Sequence, residues 1–251
     1  MRSRFLVAIA LVLSCVSSRA WLLAADGDAA RPLKVFVLAG TSNMLGAPAK
    51  VESLTDDLRE PSAEVLTYRS GEWVPIEAGK NLVGNEATFG RALTKYLGEP
   101  VGIVWTSVRY VASNSPAPAI QNIVKQSGEK GRSVEIAGVI LDVSYGDGNK
   151  EETAQAYGEG LTRWVETFRR DLGNENLPVV LMRAIPPRSN TSPLETVRQA
   201  QDALKLPNFR LVNSDKIERG GDRVHFTTAG RLELGRQYAA AMIELLPMAK
   251  K

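Results

Sequence analysis

The chain has 251 residues, of which 44% are hydrophobic, and this is enough to bury the core of one α/β domain. Lys and Arg number 31 against 28 Asp and Glu, an excess too small to predict a surface that binds nucleic acid or an anionic membrane. One histidine and one cysteine argue against an ordinary zinc site, and nothing in the sequence calls for a metal or an organic cofactor.

Residues 1–20 have the pattern of a secretory signal peptide. Arg2 and Arg4 precede an apolar run that is too short for a stable membrane span, and small residues follow it. We expect cleavage after Ala20, or as late as Ala25, and a secreted or periplasmic protein with no other membrane attachment. Cleavage after residue 20 removes three basic residues and no acidic ones, so the mature chain carries no basic excess.

The cysteine, Cys15, lies inside this leader, so the mature chain has no thiol and is held together by its core alone. Leu13 makes the surrounding residues a poor match to a lipoprotein acylation site, and we therefore expect an ordinary exported protein. Residues 33–246 show no linker or repeat that would divide them, which predicts a single domain. The sequence does not indicate an oligomeric state.

Beyond the leader, apolar β-rich runs alternate with helical patterns. Strands are predicted at 33–39, 100–108, 134–144, 178–184 and 209–214, with a hairpin at 63–76 around Ser70 and Gly71. Helices are predicted at 86–98, along an apolar stripe from Ala154 to Leu172, at 193–204 and at 228–246. This alternation predicts a three-layer α/β/α sandwich with a mostly parallel central sheet.

Small polar residues follow three of the predicted strands. Ser42 follows the first strand, residues 107–110 follow the second, and residues 144–149 follow the third. Because parallel α/β sheets bind ligands beyond the carboxyl ends of their strands, we expect these loops to meet at one site. Residues 185–193, with three prolines, are predicted to form a rim loop near it.

A serine needs a base to become a nucleophile, and the single histidine, His225, is preceded by Asp222. Two glycines directly before Asp222 are expected to give this loop the freedom to turn. Ser42, His225 and Asp222 can therefore form a catalytic triad, although each has a simpler explanation. Ser42 can be a turn or helix-capping residue, and His225 can be a hydrogen-bonded structural residue. The G-x-S-x-G motif of many esterases is absent, since Met44 stands at its second glycine.

Several segments resemble one family. The stretch VFVLAGTSNMLG is similar to the LLAGQSNMxG opening of sialate O-acetylesterase-like domains, which are grouped with carbohydrate esterase family six and the SGNH hydrolases. The stretch DRVHFTTAGRLELG resembles the closing block of that family, and VGNEATFGRAL resembles an internal segment. The resemblance runs from Leu33 to about Met242.

This resemblance implies a flavodoxin-like SGNH fold and an esterase that removes O-acetyl or similar small acyl groups from carbohydrate or another small ester. By the same resemblance, Ser42 would be the nucleophile, His225 the general base and Asp222 the residue that orients it. It implies no metal and no cofactor.

The chain departs from the family where the oxyanion is stabilised. Relatives carry GGT after the second strand, where Arg109 and Tyr110 stand here, and WxQGESD after the third, where Tyr145 replaces the glutamine and Gly146 is kept. Replacement donors are then expected from Asn43, Tyr145, Asn149 or Asn114, or from the backbone N–H groups at Ser42 and near Arg109. The alternatives are that Tyr145 is a packed aromatic residue and Arg109 a solvated cation.

Three functions remain open from the sequence. The first is an exported serine esterase acting on acylated carbohydrate. The second is a weakly active or inactive relative that binds carbohydrate or a partner protein. The third is an SGNH-type lipid esterase or thioesterase, which would have an open apolar groove beside Ser42.

Overall fold

The computed structural model of the chain describes residues 31–45, 54–77, 84–189 and 192–247. The predicted leader, with Cys15, lies outside these residues and stays a prediction. The seven strands of the sheet are β1 (Leu33–Gly40), β2 (Ser62–Arg69), β3 (Glu72–Ile76), β4 (Val101–Ser107), β5 (Val134–Asp142), β6 (Val179–Met182) and β7 (Phe209–Val212). They lie in the order β3-β2-β4-β1-β5-β6-β7, and every neighbouring pair is parallel except β2 and β3.

Strand β1 is the middle of the sheet because its apolar residues are buried on both faces. Residues 35–40 have almost no exposed surface, as expected for a strand covered by helices on both sides. Apart from the β2–β3 hairpin, the strand order is the flavodoxin-like order, with β4 and β5 on either side of β1. The carboxyl end of β1 is therefore the switch point at which such sheets form a crevice.

The eight helices of the described residues are α1 (Ser42–Leu45), α2 (Asp56–Arg59), α3 (Asn85–Leu97), α4 (Ala117–Glu129), α5 (Glu151–Gln155), α6 (Tyr157–Asp171), α7 (Pro193–Ala203) and α8 (Thr228–Leu245). Helices α3 and α8 cover one face of the sheet, where Phe89 of α3 packs edge-on against Phe36 of β1 at 5.6 Å. Helices α4 and α6 pack together on the other face. Within the described ranges, no helix combines the length and apolar character needed to cross a bilayer.

The predicted three-layer α/β/α architecture is confirmed. The hairpin turns at Ser70 and Gly71, whose φ angles of 48° and 85° suit the type of turn that matches the twist of paired strands. Gly98 ends α3 in the left-handed conformation, with a φ of 70°.

Two features differ from the sequence prediction. Helix α4 was not predicted, and the helix expected from Ala154 to Leu172 is interrupted at Ala156, which separates α5 from α6. The prolines at 116 and 118 favour a loop when read locally, yet Pro118 falls in the first turn of α4, where a missing N–H costs nothing.

Candidate active site

Ser42 lies at the carboxyl end of β1, where the chain turns into the short helix α1. The turn starts at Gly40, which stands opposite Asp142 of β5. A Cβ atom at Gly40 would lie 2.8 Å from the backbone oxygen of Asp142 and 3.0 Å from the Cβ of Met44, so only glycine fits there. The side chain of Ser42 is exposed at this corner.

His225 and Asp222 lie in the loop before α8. The Oδ1 atom of Asp222 accepts hydrogen bonds from the backbone N–H groups of Val224 and His225, both at 2.9 Å, which closes the loop on itself. The left-handed residue of this loop is Arg223, with a φ of 62°, whereas neither Gly220 nor Gly221 has a positive φ. The expected turning freedom of the two glycines is thus not what shapes the loop.

The structure brings Ser42, His225 and Asp222 into one hydrogen-bonded line. The Oγ atom of Ser42 lies 2.8 Å from Nε2 of His225, and Nδ1 of His225 lies 2.6 Å from Oδ2 of Asp222. The hydrogen bond to His225 and the two backbone N–H donors lower the pKa of Asp222 well below its ordinary value. An ionised Asp222 favours the tautomer in which His225 carries its proton on Nδ1 and presents a free Nε2 lone pair to Ser42.

Asn43 connects the serine turn to the histidine loop. Its Nδ2 donates to the backbone oxygen of Val224 at 3.1 Å, and its Oδ1 accepts from the backbone N–H of Phe226 at 3.2 Å. These two bonds lie on either side of His225 and hold the loop against α1. Asn43 therefore has a positioning role, and because it also lines the Ser42 cavity, its predicted role as an oxyanion donor stays a prediction.

Arg109 and Gly146 lie in two loops that pack directly on each other. The guanidinium of Arg109 is exposed and stacks over the ring of Tyr110, 5.5 Å from its centroid, as expected for a solvated cation. A Cβ at Gly146 would lie 2.7 Å from both the Arg109 backbone oxygen and the Tyr110 ring. Gly146 therefore permits the contact between the loops, and the Arg109 side chain does not reach Ser42.

Most backbone N–H groups of the loop that contains Arg109 donate hydrogen bonds within the protein. Val108 donates to the oxygen of Gly40, Tyr110 to the Oγ of Ser113, and Val111 to Oδ2 of Asp147. Across the described part of the chain, the N–H groups of Ser42 and Arg109 have no acceptor.

Ser42 opens into a cavity of about 240 Å³ at this edge of the sheet. Its lining consists of Thr41, Ser42, Asn43, Asp142, Ser144, Tyr145, Met182, Ile185, Asp222, Val224 and His225. Arg109, Asn149 and Asn114, three of the predicted oxyanion donors, are not among these lining residues. Nowhere in the described residues are three histidine, cysteine or carboxylate side chains grouped so that they could hold a metal ion.

A larger cavity of about 890 Å³ adjoins the first and shares Tyr145, Ile185 and Val224 with it. The predicted rim loop contributes residues 185–189 to its wall, and Asn149 also lines this larger cavity. Its charged lining residues are three arginines, Arg188, Arg219 and Arg223. Tyr145 is 48% exposed between the two cavities, so it is not a packed aromatic residue.

Asp142 is a site residue that the sequence reasoning missed. It ends β5 inside the Ser42 cavity with only 5% of its surface exposed, and burial raises its pKa to about 6. Burial also raises the pKa of Asp147 to about 6 and that of Glu86 to about 7. The signal for Asp142 in the sequence is a carboxylate directly after the apolar run at 136–141.

Comparisons with known proteins identify the family of the chain. Residues 32–244 match the family model described as "Carbohydrate esterase, sialic acid-specific acetylesterase". A protein of Arabidopsis thaliana named "Probable carbohydrate esterase" is 25% identical over 249 residues, which cover 84% of this chain and 91% of that protein.

Solved structures show the same fold. The crystal structure of an Arabidopsis thaliana protein has a TM-score of 0.71 at 22% identity and covers 86% of this chain and all of its own. A carbohydrate acetylesterase from Xanthomonas citri has a TM-score of 0.66 at 17% identity, and the match covers 85% of this chain and 56% of that one. From the family match over most of its length, the chain belongs to the carbohydrate esterases described as sialic acid-specific acetylesterases.

Proposed function

We propose that this protein is an exported serine esterase that hydrolyses O-acetyl or similar small acyl esters on carbohydrate. The observation that carries the proposal is the line of hydrogen bonds from Ser42 through His225 to Asp222, at 2.8 and 2.6 Å. A structural histidine would need only one such partner. The placement of all three groups on an open cavity is what acyl transfer requires.

In the proposed mechanism, Oγ of Ser42 attacks the ester carbonyl while Nε2 of His225 takes the hydroxyl proton. The tetrahedral intermediate then expels the sugar oxygen, which receives that proton from His225, and an acyl-serine remains. A water molecule attacks the acyl-serine, His225 takes one of its protons, and the free acid leaves as the proton returns to Oγ. Ionised Asp222 stabilises the imidazolium form of His225 in both steps.

The negative charge on the intermediate needs hydrogen-bond donors, each worth about 3 to 4 kcal/mol in such sites. The N–H group of Ser42 is the expected donor, because it has no acceptor among the described residues and Ser42 lines the cavity. The N–H group of Arg109, at the position of a family glycine, also lacks an acceptor among the described residues, but Arg109 does not line the cavity. Loss of the family's GGT and QGE sequences therefore leaves the Ser42 donor in place, since a backbone N–H group does not depend on the side chain.

The larger cavity is the expected binding place for the carbohydrate. It adjoins the Ser42 cavity through Tyr145, whose exposed ring can stack on a sugar face. Arg188, Arg219 and Arg223 supply donors for sugar hydroxyl or carboxylate oxygens. A lipid esterase would need an open apolar groove, whereas this cavity is lined by three arginines.

The test is hydrolysis of 4-nitrophenyl acetate and acetylated xylan by the mature protein, Ser42→Ala and His225→Ala. We expect both variants to lose at least about 10³-fold in kcat, because the base and the nucleophile act as one unit. Ser133→Ala, at the amino end of β5 and far from the cavity, is the matched control and should retain the wild-type rate. Wild-type rates no higher than those of Ser42→Ala would overturn the proposal and favour the binding function.

A fluorophosphonate probe gives a second readout that does not depend on the acyl group. It should label the wild-type protein at Ser42, as located by peptide mass spectrometry, and should not label His225→Ala at a comparable rate. Equal labelling of the two proteins would mean that His225 does not activate Ser42.

A further inference from the structure

Asp142 is a carboxyl group inside the cavity of the proposed nucleophile. It is the last residue of β5 and stands opposite Gly40, two positions before Ser42. Its side chain is 5% exposed and lines the same cavity as Ser42 and His225. The triad described above does not use it.

Asp142 has no hydrogen-bond donor anywhere in the described part of the chain, and this sets it apart from the other buried carboxyls. Asp147 accepts the N–H of Val111 at 3.3 Å, and Glu86 accepts the N–H of Gly84 at 2.7 Å. An unpaired buried polar group destabilises the folded state, and a charged one does so more strongly. The hydrogen bonds of Asp142 must therefore be made to whatever occupies the cavity.

A second polar group lies beside it. Ser144 follows Asp142 by two residues, is 3% exposed and lines the same cavity. Its hydroxyl has no partner among the residues that the structure describes, although its backbone oxygen accepts the N–H of Gly148. A carboxyl acceptor and a hydroxyl that both donates and accepts thus stand together within reach of one small group.

The size of the cavity limits where on the substrate that group can lie. At about 240 Å³ the cavity holds the ester and the atoms next to it, whereas an oligosaccharide extends into the larger cavity. The group that reaches Asp142 must therefore lie within a few bonds of the scissile ester. On a carbohydrate, the donor at that distance is the free hydroxyl on the adjacent ring carbon.

We propose that Asp142 and Ser144 form a subsite that binds the sugar hydroxyl next to the ester-bearing carbon, so that the enzyme selects partly acylated sugars. This inference rests on the proposed esterase function and adds the part of the substrate that is recognised. The hydroxyl donates to the Asp142 carboxylate and accepts from the Ser144 hydroxyl. A fully acylated ring has no such donor and leaves both groups unpaired.

The test compares two esters that differ in one hydroxyl: a methyl xyloside with one acetyl group, and its deoxy analogue without the hydroxyl next to the ester. A hydrogen bond to a charged group corresponds to about a 10- to 100-fold preference in kcat/KM for the hydroxyl ester. Asp142→Leu should bring the ratio close to one, and Asp142→Asn, which keeps an acceptor oxygen, should give an intermediate ratio. If Asp142→Leu does not fold, the kcat/KM ratio of Asp142→Asn decides the test.

Glu86→Gln is the matched control, because it neutralises a buried carboxyl that does not line the cavity. It should keep the wild-type ratio. A wild-type ratio near one, an unchanged ratio in Asp142→Leu, or an equal fall in Glu86→Gln would each overturn the inference.

Binding to Ser42→Ala separates this inference from the proposed function. Titration calorimetry of the two intact esters should show tighter binding of the hydroxyl ester by about 10-fold or more, and the added Asp142→Leu substitution should abolish the difference. If the wild-type protein hydrolyses neither ester but Ser42→Ala shows this preference, only the esterase proposal fails. Equal binding of the two esters, or binding of neither at 10 mM, overturns the subsite.

Discussion

Replacing Asp142 with asparagine should make the protein more stable, and the gain should depend on pH. Burial raises the pKa of this carboxyl in the folded state from 3.8 to about 6, with no opposing hydrogen bond. Each pKa unit corresponds to about 1.36 kcal/mol, so ionising Asp142 costs the folded state up to about 3 kcal/mol. Asparagine has nearly the same shape and carries no charge at any pH.

The direction of the pH dependence follows from proton binding. Between the ordinary pKa and about 6, the folded wild-type protein holds the Asp142 proton more tightly than the unfolded chain does. Stability of the wild-type protein is therefore lost as pH rises through that window. Asp142→Asn should match the wild-type free energy of unfolding near pH 3.5 and exceed it by up to about 3 kcal/mol at pH 8.

The assay is urea-induced unfolding of both proteins at pH values between 3.5 and 8, compared as a difference so that the shared titrating groups cancel. Asp202→Asn is a control with the opposite sign, because Arg183 lowers the pKa of Asp202 and stabilises its ionised form. That variant should be less stable than wild type at neutral pH, and the difference should shrink in acid. A stability difference for Asp142→Asn that does not change with pH, or that is negative at pH 8, would refute the reasoning.

Substitutions at four further positions test the site and the contacts that support it. Asp222→Asn should lower kcat by about 10³- to 10⁴-fold, because it alters the tautomer of His225. The melting temperature should change little, because asparagine keeps an oxygen that accepts from the backbone N–H groups of Val224 and His225. An unchanged kcat would mean that Asp222 does not belong to the triad. Asn43→Ala breaks two bonds to the histidine loop and should cost about 1 to 3 kcal/mol in urea unfolding while lowering kcat more than it raises KM. Tyr145→Phe should keep the kcat on acetylated xylan, and Tyr145→Ala should raise KM, because the proposal has the exposed ring and not the hydroxyl contact the sugar. A fall of about 100-fold in kcat for Tyr145→Phe would instead identify the Tyr145 hydroxyl as an oxyanion donor. Gly146→Ala places a methyl group 2.7 Å from the backbone oxygen of Arg109, so a lower melting temperature is expected. A melting temperature equal to that of the wild type would mean that the loops of Gly146 and Arg109 can separate without destabilising the protein.

Much of the fold could be predicted because local chemistry and global position agree in this chain. Residues 35–40 are apolar throughout and form most of the central strand, and Gly98 stands where a helix must end. Helix α4 could not be recognised in the same way, because the prolines before and within its first turn also fit a loop. The break at Ala156 has no local signal, since the apolar stripe continues across it.

The grouping of Ser42, His225 and Asp222 could be predicted from the sequence, and the roles of the residues around it could not. Ser42, His225 and Asp222 stand in short motifs whose residue types limit the chemistry. The roles of Asn43 and Asp142 depend instead on what lies opposite them: Asn43 contacts the backbone of a loop from the other end of the chain, and Asp142 faces a cavity and not a partner. Arg223, with its left-handed backbone, replaced the glycines that the sequence had suggested.

The hydrogen bond between Ser42 and His225 joins residues that are 183 positions apart. The serine is therefore among the first residues of the domain to be synthesised, whereas its histidine partner arrives only after β7 has been made. A nascent chain, or one shortened before residue 222, would carry the whole parallel sheet and still lack the proposed general base. On the proposed mechanism, hydrolysis is thus tied to completion of the chain, and recovery of activity during refolding would report the docking of the loop that carries His225.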